Sequence, residues 1–264
     1  MITLLLPANM QEIIDAGKYS DTIKLLNKPY KNESEARWEM LKMLSGLNGF
    51  ELGKQLGAGN SKQRAAVAAQ ISEEDAIEIA EQVFPALDFI FDNEPFFENP
   101  IPTFKHKGVT YQGPDKKLLN QSGAEWTVSH HAQVAYHGSK ERKHLCDLIA
   151  ANYQPVINGV RSEFEKDKMD AKGFETLPDE IVNGIYIWYL HCENWWGEKY
   201  AQLYGADEAT NKKAKGKEVW DLMFELSGCE LGANYDRVQT RSRQEIFMAL
   251  TKLEEKRIEA ELKE

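Results

Sequence analysis

Ile181, Ile185, Trp188, Cys192 and Trp195 fall at i, i+4, i+7, i+11 and i+14, a single apolar line with the repeat of an α-helix. Tyr189, Trp196 and Tyr200 widen that line on one side. Just upstream, Thr176 offers a cap, Pro178 an early proline, and Asp179 and Glu180 an acidic first turn, so a helix is predicted over about 178–203. It is the most apolar helix in the chain. Other elements must cover so broad a face, which puts this helix at the centre of its domain. The cluster of Trp188, Tyr189, Trp195, Trp196 and Tyr200 leaves two uses open. It is either a core layer with its polar tips at the rim, or an exposed groove whose indoles and phenols anchor a partner helix.

The stretch before it has the clearest local signals. Thr103-Phe104-Lys105-His106 and Val109-Thr110-Tyr111-Gln112 alternate about Lys107-Gly108, the pattern of a half-buried β-hairpin, and Gly113-Pro114-Asp115 stops the second strand. Ser122-Gly123-Ala124-Glu125 is a capping box, so a helix starts near Gly123. Trp126, Val128 or Ser129, Gln133 and Val134 supply its faces, and Gly138 is its expected left-handed stop. A second helix over about 140–153 carries Leu145, Leu148, Ile149 and Asn152 on one side and ends before Pro155.

The remaining segments are mostly helical in pattern. Ile2–Leu6 reads as an edge strand or an extended arm ended by Pro7. A helix over about 18–27 uses Tyr19, Ile23 and Leu26, and the next, capped by Ser34 or Glu33, uses Trp38, Leu41, Met43 or Leu44, and Leu47. Ser72 opens an amphipathic helix with Ala76, Ile79, Ala80, Val83 and Leu87 on one face. Ile90, Phe91, Phe96 and Phe97 lie in a stretch broken by prolines and either pack beneath a neighbour or form a contact patch. Residues 159–173 read as an exposed charged loop or arm, and a short helix ending at Leu226 is stopped by Gly228. Ser242-Arg243-Gln244-Glu245 is a further capping box, opening a helix with Ile246, Leu250, Leu253 and Arg257 or Ile258 along one side. Its end carries only a thin apolar line, suited to a projecting helix or to one docked on a partner. The fold class expected is mainly α, a multi-helix bundle with one small β-hairpin near residues 103–112. Its organisation is an N-terminal helical region, 1–98, and a hairpin-plus-helices region, 99–264, or one continuous domain.

Charge and motif spacing exclude more than they assign. A net charge of −10 over 264 residues gives no basic surplus for holding a polyanion, and the lysines at 212, 213, 215 and 217 read as a solvated connector. Three widely spaced cysteines, Cys146, Cys192 and Cys229, fit neither a disulfide framework nor a zinc knuckle and point to a reducing compartment. No apolar run reaches the roughly 18–20 residues of a membrane span, and the N-terminus lacks a basic n-region, so the expectation is a soluble intracellular protein. His130 and His131 diverge by about 100° on a helix, while His130 and His137 stand roughly 10 Å apart, too far to share one metal. His191-Cys192-Glu193 resembles a nucleophile with its base, but neighbours on a helix point to different faces. Gly57-Ala58-Gly59 has no preceding strand and no following Gly-Lys-Ser/Thr, which makes it a turn and not a phosphate loop. No catalytic or metal-binding residue and no cofactor is assigned, and the expectation is a non-enzymatic chain.

One resemblance can be placed on particular residues. The hairpin has the form F-x-x-x-G-x-x-Y-x-G-P from Phe104 to Pro114, followed by Leu118, the helix start Gly123-Ala124-Glu125-Trp126, and Leu148-Ile149-Ala150-Ala151-Asn152-Tyr153-Gln154-Pro155. With the Trp/Tyr-rich helix and the charged C-terminal helix after it, this order resembles tail and virion proteins of tailed bacteriophages and prophages of Bacteroidetes hosts, some of them tail-assembly chaperones. The resemblance covers about residues 100–260 and transfers no catalytic residue. It implies a protein partner, the apolar tape-measure protein or another virion protein, in the bacterial cytoplasm or the virion. Trp188, Tyr189, Trp195, Trp196, Tyr200, Trp126, Phe96 and Phe97 are the candidate partner-binding residues. A virion connector, ring or tail subunit, forming a homo-oligomer, is the alternative. A cytosolic metal-dependent enzyme is a more distant one. Neither membrane nor direct nucleic-acid binding is expected.

Overall fold

A computed structural model describes residues 6–49, 51–52, 81, 83–92, 94–204, 219–228 and 233–261. Residues 2–5 of the strand or arm expected over Ile2–Leu6, the Gly57-Ala58-Gly59 turn, most of the helix opened at Ser72, the lysine-rich connector and Cys229 lie outside these residues. The chain is mainly α with a small antiparallel sheet, and it divides into two compact units, Met1–Phe96 and Phe97–Glu264.

In the first unit, helices α1 (Met10–Asp15), α2 (Tyr19–Leu26), α3 (Glu33–Ser45) and α4 (Asp88–Phe91) enclose Ile13, Ile23, Trp38, Leu41, Leu87 and Phe96. Asn32 caps α3, not Ser34 or Glu33: its side chain accepts the Glu35 N–H at 2.9 Å while Glu35 accepts the Lys31 N–H at 2.8 Å. Asparagine satisfies the first-turn donors as well as serine does, and only the geometry chooses between adjacent candidates. Lys18 donates to the Met43 and Leu44 carbonyls, closing the other end of the same helix. Leu26, expected inside, faces solvent, because Thr22 and Leu25 turn inward with Tyr19 and Ile23.

The second unit is built on the sheet and three long helices. Strands β1 (Thr103–His106) and β2 (Val109–Gln112) form the expected hairpin, with Lys107 and Gly108 both at positive φ in the turn. Two further strands extend it: β3 (Gln154–Ile157) pairs with β2, and β4 (Val160–Arg161) returns through a second positive-φ turn at Asn158-Gly159. The loop expected over 159–173 therefore begins as a strand. It also ends at a buried anchor, since Phe174 packs edge-on to Phe104 and Tyr111.

Helix α5 (Gly123–Ser139) opens on the predicted capping box, with both hydrogen bonds made between Ser122 and Glu125. It runs one residue past Gly138, and Lys140 takes the left-handed stop. Val134 is exposed on it, while Trp126, Ser129 and Ala132 are buried. Helix α6 (Arg142–Asn152) packs antiparallel to α5 and buries Leu145, Leu148, Ile149 and Asn152 as the spacing requires.

Helix α7 (Asp179–Lys199) is the predicted aromatic helix, with Ile185, Trp188, Tyr189, Cys192 and Trp196 buried. Against its far end lie α8 (Val219–Leu226), α9 (Ala233–Gln239) and α10 (Arg243–Glu261), which close a second core around Trp126, Trp196, Met223, Ile246 and Phe247. The starts of α5 and α10 are joined directly. Gly123 N–H donates to Arg241 O at 2.9 Å and Arg243 N–H to Gln121 O at 2.6 Å, so two capping boxes stand side by side.

Candidate functional site

The aromatic helix does two different jobs on its two sides. On the inner side, Arg243 is wholly buried, and its guanidinium lies 4.7 Å from the Trp126 ring, 5.0 Å from Trp196 and 5.7 Å from Phe247. Both its terminal nitrogens donate to the Glu193 carboxylate, and one also reaches Gln121 Oε1 at 3.2 Å. A buried cation is stable only when its charge is answered, and here a bidentate carboxylate and three ring faces answer it.

Gln121 carries the network onward. It donates to Asn152 Oδ1 at 2.6 Å, and Asn152 donates to Ser129 Oγ at 2.7 Å. The Asn152 carbonyl accepts from Arg161, which also pairs with Glu125. A continuous polar chain thus links α7 and α10 to α5, α6 and β4. A cleft of about 450 Å³ opens beside it, lined by Glu125, Arg161, Lys166, Asp236 and Thr240 among others, but Glu125 and Arg161 are already engaged with each other.

The outer side begins with two indole N–H groups that point at irregular backbone. Trp188 Nε1 donates to Phe97 O at 3.1 Å, and Trp196 Nε1 donates to Lys117 O at 2.6 Å. The Lys117 N–H in turn donates to Phe97 O at 3.0 Å. These bonds hold a turn in which Lys117 and Leu118, neither of them glycine, both have left-handed φ, at 55° and 57°. That conformation costs on the order of 1–2 kcal/mol per residue and persists only where the surroundings impose it. Burial of Leu118 and the two indole bonds impose it here.

The strained turn places the Lys117 ammonium 4.2 Å from the Trp195 ring centroid and 4.9 Å from that of Phe97. Lys199 stands 4.6 Å from Trp195 and 5.2 Å from Tyr200. Half-buried Trp195 is therefore bracketed by two ammonium groups. No ion pair joins either of them to a carboxylate among the described residues. Trp195 meets Trp196 edge-on at 5.1 Å, and Trp196 stacks on Phe247 at 4.7 Å, so the outer bracket and the inner cage share one run of rings.

Of the eight aromatic residues singled out for partner binding, Trp126, Trp188, Tyr189 and Trp196 are buried within this unit. Phe96 is buried in the first unit, edge-on to Tyr19. An exposed groove cannot be built from these five, because the chain itself covers them. The other three, Phe97, Trp195 and Tyr200, are half-buried and meet at the bracket. Lys117 and Lys199, which complete it, were not singled out from the sequence.

The remaining candidates for chemistry are dispersed. His130 and His131 have ring centroids 6.5 Å apart, His137 lies 3.2 Å from the Tyr186 hydroxyl, and His106 meets Gly173 O at 2.8 Å. Among the described residues no three His, Cys, Asp or Glu side chains are grouped as a metal would need. Burial, followed by the Glu193 charge, pushes the Cys192 thiol well above its ordinary range, the reverse of an activated nucleophile. Glu193 itself is turned to Arg243. No helix among the described residues is long and apolar enough to cross a membrane. Protein-family models, curated proteins and solved structures yield no match to the chain.

Proposed function

We propose that this chain is a non-enzymatic binding protein of tailed-phage assembly, akin to a tail-assembly chaperone, that holds an apolar helical client such as a tape-measure protein in the host cytoplasm. The Phe97–Trp195–Tyr200 bracket supports this reading best. Half-buried Trp and Tyr on a rigid support are the usual anchors of a protein interface, since they offer a large contact area at little cost in side-chain entropy. The order of motifs from Phe104 to Pro155 supplies the phage context. A virion ring or connector subunit is the second reading, favoured by Met248 and Leu253, which α10 leaves 48% and 42% exposed beyond its packed first turns.

Light scattering of the purified chain, alone and with a tape-measure fragment encoded in the same genome, separates the two. A chaperone is expected to be a monomer or small oligomer that captures the fragment. Trp195→Ala is expected to weaken capture by about thirtyfold, the cost of a hot-spot residue near 2 kcal/mol. A closed ring that forms without a client, and no capture, would contradict the chaperone reading in favour of the virion subunit.

A further inference from the structure

The two sides of α7 are versions of one arrangement, a cation laid on aromatic faces, and they differ in a single component. In the inner cage the cation of Arg243 has three rings and a carboxylate, that of Glu193. In the outer bracket the cations of Lys117 and Lys199 have three rings, those of Phe97, Trp195 and Tyr200, and no carboxylate among the described residues. The chain has 42 acidic residues against 32 lysines and arginines, so carboxylates are not scarce. Neighbouring Lys116 takes one, Glu98, at 3.5 Å. Lys117, by contrast, is carried into place by a strained turn that two buried indoles hold. Strain retained at a half-exposed position is a common mark of a site made for something else to bind.

We infer that the bracket takes a carboxylate from the partner, paired with the Lys117 and Lys199 ammonium groups, while an adjoining apolar side chain packs against half-buried Trp195. The partner segment is therefore a helix with an Asp or Glu next to an apolar residue on the same face, a pairing that i, i+3 or i, i+4 spacing provides. A phosphodiester chain is the weaker fit. Two ammonium groups amid a net charge of −10 answer one carboxylate and do not track a polyanion. This inference rests on the protein-binding reading and adds the chemistry by which the partner is chosen.

The test is a titration of the full chain, labelled with ¹⁵N, against three synthetic 18-residue Ala/Leu helices that are identical except for a central Glu, Gln or Lys. The readout is the Trp195 indole resonance, assigned with Trp195→Phe. The Glu peptide is expected to move that resonance and to bind about tenfold more tightly than the Gln peptide, with the Lys peptide weakest. Lys117→Gln/Lys199→Gln is expected to erase the preference for Glu while still binding the Gln peptide. Because Lys117 sits in a strained turn, Lys199→Gln is carried alone in parallel, and a fall in preference to about threefold is expected. Equal binding of the Glu and Gln peptides would overturn the carboxylate assignment and leave the protein-binding reading standing. A Trp195 resonance that no peptide moves would overturn both. Tighter binding of a single-stranded oligothymidylate than of the Glu peptide would replace the acidic helix with nucleic acid.

Discussion

Arg243 and Lys117 are both cations set on indole rings of the same helix, yet one is sealed and the other open. Arg243 is fully buried, with every ring face and both carboxylate oxygens of Glu193 turned toward it. Lys117 is only half-buried and has rings but no anion among the described residues. The inner site is finished within the chain, so its role is to hold α10 against α5 and α7. The outer site has no such closure among the described residues. Aromatic richness in α7 thus has two physical causes, and an indole's hydrogen-bond partner tells them apart. Trp188 and Trp196 donate to the backbone carbonyls of Phe97 and Lys117 and so tie the helix to the turn. Trp195 is left to present its face to the two lysines.

The contrast breaks most visibly at the inner site. Arg243→Met strands the Glu193 charge in a nearly closed environment and is expected to cost about 3–5 kcal/mol in urea unfolding. Arg243→Met with Glu193→Leu should recover most of that loss. Lys199→Met at the outer site should change stability by less than about 1 kcal/mol, because its charge is already solvated. A similar loss at both positions would erase the distinction between them.

The next effect is at the support. Trp196→Phe removes the donor to Lys117 O and is expected to cost about 1–3 kcal/mol. In the opposite direction, Lys117→Gly relieves the left-handed backbone and should raise stability by up to about 1 kcal/mol while lowering the preference for an acidic peptide. Stability gained as binding is lost is what strain held for function predicts, and thermal melts with the same peptide titration would read both.

The smallest effect comes from pH. Burial holds the His191 imidazole below its ordinary value of 6.5. As pH falls through that value the unfolded chain takes up the proton before the native one. The stability contributed by neutral His191 is therefore full above about pH 6.5 and is lost below it. The drop in urea midpoint between about pH 7.5 and about pH 5.5 should be smaller in His191→Gln than in the parent.

The helix starts were legible because their chemistry is local. Ser122 with Glu125, and Ser242 with Glu245, specify capping boxes within four residues, and both form. The first hairpin was legible for the same reason. The second was hidden by Pro155, which reads as the end of a helix and is also the second residue of β3. The available signal was Asn158-Gly159 between Val156-Ile157 and Val160, the usual composition of a two-residue hairpin turn. Arg243, the first residue of its helix, reads as exposed, because charged residues almost always are. Its burial depends on Trp126, Trp196 and Glu193 converging from distant segments. The bracket was half legible. Its rings stood out by type, but Lys117 is an ordinary lysine until the fold forces its backbone left-handed.

Hydrogen exchange of the indole protons, read by ¹⁵N NMR, tests the two-sided helix most directly. The Trp188 and Trp196 indoles are expected to exchange only on global unfolding, and that of Trp195 orders of magnitude faster, through the native state. Fast exchange at Trp196, or protection at Trp195 equal to that of Trp188, would mean that the helix has one side and the bracket is closed.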